Sequence, residues 1–186
     1  MTNIGAKEAA QALNDIEQIV QRVRRSRTYD IASRIMILSG ALVFAGNLAT
    51  YGWPHYGPFI WISVNVLGAL GSIAIIVFQL PKAHGRGFDF RMAMALLLFF
   101  AFGLLCSTVL GHFGPREMGA FWPIYFMLMY CLAGLWFGHA FVAIGLCIAI
   151  LTLIGYFFVA GAAFLLWMAA VNGGGLILGG FWMRRN

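Results

Sequence analysis

From Phe121 to Met183 the chain runs for about 60 residues without an Asp, Glu, Lys or Arg. No water-facing surface can be built from such a stretch, since a soluble domain carries about 25% charged residues. A transmembrane helix needs about 20 apolar residues to cross a hydrocarbon core of about 30 Å. The stretch therefore has room for three spans joined by tight turns. The remainder agrees: 62% of the 186 residues are hydrophobic and 10% are charged, with a mean hydropathy of +0.87.

The fold class expected is an all-α integral membrane protein, a bundle of about six transmembrane helices preceded by a cytoplasmic amphipathic helix. Residues 1–30 are the only extended polar segment and lack an apolar h-region, so no cleavable signal peptide is expected. Within them Leu13, Ile16, Val20 and Val23 recur at spacings of three and four, which places them on one helix face. Spans are expected at about 31–51, 58–80, 91–111, 121–138, 140–159 and 162–183, forming one domain over residues 31–186. Gly138-His139 and Ala160-Gly161 are the breakpoints of the charge-free stretch. A count of five follows instead if residues 139–183 hold one span and a re-entrant segment. The prolines fit the six-span division. Pro54, Pro58, Pro81 and Pro115 fall in or beside loops, and Pro123 falls in the first turn of the fourth span, where its missing N–H costs little.

Charge gives an orientation. With the N-terminus inside, the cytoplasmic segments carry about eleven of the twelve basic residues, including Arg22, Arg24, Arg25, Arg27 and the terminal Arg184 and Arg185. The outer loops keep Arg116, offset by Glu117. This is a positive-inside pattern, and it places both termini in the cytoplasm. It also explains the net charge of +6 without a nucleic-acid partner. The outline resembles that of many small bacterial inner-membrane proteins, and no motif ties it to a named family.

Little in the chain points to chemistry. No ionisable residue lies in the middle of a span, where such residues mark proton relays and ion paths. The signatures of nucleotide sites, metalloproteases and nucleophile elbows are all missing. Cys106, Cys131 and Cys147 sit in apolar runs and suggest no disulfide. His55, His84, His112 and His139 lie beside glycine or proline in loops, at no ligand spacing. Neither a cofactor nor a metal is expected, and a haem- or quinone-linked protein is the weakest of the functional readings. The aromatics Tyr51 to Trp61 read as interfacial anchors, with a ligand cage as the sharper alternative.

Three features remain. Asn47, Asn65, Ser107 and Thr108 fall in the outer half of their spans and Asn172 near the middle of the sixth. They form a polar cavity if they face one another, and interhelical glue worth about 0.6 kcal/mol per contact if they do not. Gly173, Gly174 and Gly175 follow Asn172 and form either a helix break of the transporter kind or a close-packing site against Tyr156, Phe157 and Phe158. The stripe Leu13, Ile16, Val20 and Val23 with its arginines fits a leaflet-bound helix or a helix that binds a protein partner. Small residues at four-residue spacing, Gly134 with Gly138, Gly175 with Gly179 and Ala41 with Ala45, suit close helix packing and a possible homodimer. The function expected is that of a non-enzymatic accessory or regulatory membrane protein, with a small-solute transporter or channel as the alternative. The lipid bilayer and a cytoplasmic or membrane protein are the expected partners.

Overall fold

The computed structural model describes residues 2–79, 90–110 and 113–185. These residues are helical throughout, apart from short turns, and contain no strand. Helix α1 is Thr2–Gly52, and a short 3₁₀ turn, Pro54–Tyr56, leads into α2, Gly57–Gln79. Helix α3, Phe90–Leu105, runs on into a π turn, Cys106–Leu110. Helices α4, Pro115–Phe137, and α5, His139–Phe158, are followed by α6, Ala163–Arg185, which has a π turn at Ala169–Gly174.

The polar N-terminal segment is not a separate helix. Between Ala6 and Ser39 there is no glycine, proline or π turn, the usual causes of a sharp kink. The segment and the first span therefore form one rod. At about 1.5 Å per residue its 51 residues extend about 75 Å. The apolar part begins at Tyr29, so the polar part projects about 40 Å beyond it.

Helix α4 also differs from expectation. It begins at Pro115, behind Gly114 as its N-terminal cap residue, and takes Arg116 and Glu117 into its first turn. Pro123 consequently lies inside the helix. In a membrane, neighbouring helices and local adjustments offset the hydrogen bond that proline removes.

Neighbours in the bundle follow the order α2, α1, α6, α5, α4. Helix α3 joins α4 through a seam of aromatic rings. Phe99 stacks on Tyr125 at 4.2 Å, Phe100 meets Phe126 edge-on, and the Tyr125 hydroxyl donates to the Phe99 carbonyl. Methionines and branched residues fill the core, among them Met36, Met127, Ile144, Ile148, Leu176 and Met183.

The tightest contact is between α1 and α6, which cross antiparallel. Gly40 faces the Gly173 carbonyl and Ile177, and Gly180 faces Ser33 and Ile37. Removing a side chain where two backbones meet supplies the packing that drives helix association in lipid.

The parity of the crossings follows from one contact. Arg184 near the end of α6 lies 3.8 Å from Asp30 at the start of the first span. Both ends of the bundle are thus on the same face, which requires an even number of crossings. Five helices are long and apolar enough to span. Helix α3 holds the shorter apolar helix, Leu97–Val109; its 16 helical residues and the 5 of its π turn extend about 30 Å, long enough for a sixth crossing. Residues 139–183 hold two helices long and apolar enough to cross, His139–Phe158 and Ala163–Arg185.

Candidate functional site

Among the described residues the buried polar side chains are Ser33, Asn47, Ser107, Thr152 and Asn172. Asn172 has the most unusual surroundings. Three glycines follow it, each less favourable than alanine in a helix by about 1 kcal/mol. The backbone yields there without breaking: α6 stays continuous and widens into a π turn. Such single-turn widenings recur at functional sites.

Asn172 is only 3% exposed. Its Nδ2 lies 3.4 Å from Thr152 Oγ1 on α5 and 3.4 Å from Met168 Sδ one turn back. Its Oδ1 is buried and has no hydrogen-bond partner among the protein's atoms. Whichever way the amide is turned, one edge meets the Thr152 hydroxyl and the Met168 sulfur and the other has no hydrogen-bond partner. An unpaired buried acceptor costs about 1–3 kcal/mol. The unpartnered edge of the Asn172 amide can therefore take one further hydrogen bond at the level of the π turn.

The three glycines have different roles. A Cβ on Gly173 would lie 2.7 Å from the Phe44 Cα, so this glycine is required by the crossing of α1. Gly175 rests on Ile148, and a Cβ on Gly174 would meet nothing within 4 Å. The bulky neighbours are Phe44 and Ile148, in place of Tyr156, Phe157 and Phe158.

The other polar candidates bond to their own helices, as Ser, Thr and Asn commonly do. Asn47 donates to the Val43 carbonyl at 2.9 Å and Asn65 to that of Trp61 at 2.8 Å. Ser107 and Thr108 both donate to the Leu104 carbonyl at 2.9 Å. Asn47 and Ser107 are buried, whereas Asn65 and Thr108 are exposed. Asn47 is one helical turn beyond Phe44, the residue that meets the π turn. Ser107 and Thr108 belong to the second π turn, in α3.

Two residues of consequence were not singled out in the sequence. Thr152 is a single hydroxyl in an apolar run, and only the fold pairs it with Asn172. Arg116 reaches across to the end of α5, where it donates to the carbonyls of Tyr156 and of Val159, the latter at 2.7 Å. Its guanidinium also lies over the rings of Tyr156 and Phe164, at 5.4 and 5.3 Å from their centroids. It thus ties α4, α5 and α6 together by capping carbonyls that the helix end leaves free.

The remaining candidates are quickly placed. Tyr51, Trp53 and Tyr56 are largely exposed, and His55 meets Tyr56 edge-on at 5.9 Å. His139 opens α5, and His84 and His112 lie outside the described residues. No group of three or more potential metal ligands occurs among the described residues. On the projecting part of α1, Leu13, Ile16 and Ile19 are 69%, 59% and 61% exposed. Val20, Val23, Arg22, Arg24, Arg25 and Arg27 follow on the same helix.

Comparison with protein-family models, with curated proteins and with solved structures finds no match for this chain.

Proposed function

We propose that this chain is a non-enzymatic accessory or regulatory protein of a bacterial inner membrane, with both termini in the cytoplasm, that docks a protein partner through the projecting part of α1. The observation that carries this reading is the exposure of Leu13, Ile16 and Ile19 on a helix that is collinear with a membrane span. An amphipathic helix absorbed in a leaflet lies in the plane of the interface. A rod continuous with a span points away from that plane, so lipid cannot cover its stripe. Leu13 precedes Tyr29 by 16 residues, which sets it about 24 Å beyond the start of the span. The headgroup layer is only about 6 Å deep. Protein is then the cover that suits an apolar stripe in water.

The test is Ile16→Asp with Val20→Asp, made in the full-length chain and purified from native membranes in mild detergent. The variant should insert normally and lose its co-purifying protein. Undiminished recovery of that protein would refute the reading.

A second reading, a small-solute transporter or channel, is favoured by one relationship. The third span of each half, α3 and α6, carries a π turn, and both turns hold polar candidates. The halves also match in their contacts: α1 pairs with α2 as α4 pairs with α5, and α1 meets α6 as α4 meets α3. Interrupted helices at corresponding positions of two halves mark substrate sites in transporters. Flux of small neutral solutes into liposomes, abolished by Asn172→Leu, supports this reading. Absence of flux for every solute class tried with the unaltered protein removes it.

A further inference from the structure

The exposed stripe of the projecting segment does not end at the membrane. Between Tyr29 and Thr50 the exposed positions are Arg34, Ala41, Phe44, Ala45 and Leu48. At 100° per residue their mean direction lies within about 45° of that of Leu13, Ile16, Val20 and Val23. Exposed residues thus occur on one side of α1 both in the projecting part and in the hydrocarbon. Helix α2 meets α1 at Leu38, Leu42 and Gly46, and α6 meets it at Gly40 and Phe44, so their contacts flank this face.

We infer that this face is where a second copy of the chain pairs, in parallel and in register, along the whole of α1. The inference rests on the docking role proposed above and names its occupant. A soluble partner would cover only the projecting part, and lipid only the span. An occupant of both must be a helix that leaves the membrane at the same height and continues for a similar length into water. A second copy meets that condition by symmetry, since a two-fold axis sets each residue opposite its own equivalent. The spacing of three and four is that of a parallel coiled-coil seam. Within the membrane Ala41 and Ala45 let two such helices approach closely. The charges permit it as well. Carried along the helix, the seam takes in Arg27, Asp30 and Arg34, an acid between two bases, while Arg22 and Arg25 fall outside it. Asp30 pairs with Arg34 at 3.1 Å within one chain, and the same residues of a second copy would stand one layer away.

The test is disulfide cross-linking in membranes of cells producing the full-length chain. Cys106, Cys131 and Cys147 are replaced, and single cysteines are placed at Leu13, Ile16, Ala41 and Leu48 on the face, or at Gln11 and Asn14 behind it. Oxidation should give dimers of the 20.5 kDa chain at the four face positions and leave Gln11→Cys and Asn14→Cys monomeric. Replacing Ala41 and Ala45 together by leucine, which leaves the chain's own packing untouched, should weaken the Leu48→Cys cross-link by about fivefold or more. Cross-linking with no difference between face and back overturns the inference. So does its absence at all four face positions. A photo-cross-linker at Ile16 separates the two claims. An adduct to a different protein keeps the docking role and discards the second copy, and no adduct of any kind discards both.

Discussion

Gly173 of α6 meets the backbone of Phe44 of α1 so closely that a Cβ would lie 2.7 Å from the Phe44 Cα. Its neighbour Gly174 has nothing within 4 Å of the same added atom. Two adjacent glycines thus have opposite reasons to be there. Gly173→Ala must push α1 away from α6 and should lower stability by about 1–3 kcal/mol, the usual cost of overpacking. Gly174→Ala has room and gains helix propensity of up to about 1 kcal/mol. Thermal unfolding in detergent, followed by tryptophan fluorescence, should show Tm falling for the first and holding or rising for the second. Equal losses for both would mean that the π turn itself depends on the glycines.

Arg116 is expected to act as a clamp. Arg116→Leu keeps the apolar stem but leaves the carbonyls of Tyr156 and Val159 without their donor. Hydrogen bonds to a charged group contribute about 1.5–3 kcal/mol, and a loss of that order is expected. Arg116→Lys offers one charge without the planar fork and should recover only part of it. Protease cleavage between Val159 and Ala162 should quicken in the leucine variant. A variant as stable and as resistant as the parent would show that the helix end is held by packing alone.

The ion pairs at the opposite end should matter far less. Asp30 and Arg184 lie 3.8 Å apart with side chains 42% and 44% exposed. Exposed pairs of this kind contribute between about 0 and 1 kcal/mol. Arg184→Gln should shift Tm by little, and 0.5 M salt should erase most of that shift, because the screening length there is only a few ångströms. A large, salt-insensitive loss would show that the pair is buried against another surface.

The spans were legible in the sequence because lipid imposes a simple rule, and charge-free runs of the right length obey it. Gly138 and Gly161 are also where the chain turns, and each has a positive φ, 135° and 63°. The continuity of α1 was less plain. Composition changes sharply near Tyr29, yet backbone geometry responds to glycine and proline and not to polarity. The start of α4 was misplaced for a related reason: Arg116 and Glu117 look like loop residues, but Pro115 is well suited to a helix's first position. The site was legible only in its single residues. Asn172 and its glycines are conspicuous, but nothing local identifies Phe44, Ile148 or Thr152 as their neighbours. Asn65 and Thr108 look like cavity residues by depth, but they bond back to their own helices and face outward.

The coupling of Asn172 to Thr152 can be measured directly. Thr152→Val keeps the shape of a side chain that is fully buried and removes the one hydroxyl that Asn172 meets. Both edges of the amide then lack an oxygen partner, and a loss of about 1 kcal/mol is expected. Asn172→Leu removes the unpaired acceptor and should be neutral or stabilising, provided the leucine fits beside Met168. If the two side chains act as a pair, the double variant should be more stable than the sum of the single effects by about 0.5 kcal/mol or more. Reversible unfolding of the four proteins in one detergent closes the cycle. Strict additivity would mean that the 3.4 Å contact contributes nothing, and that the amide is held in place by the π turn alone.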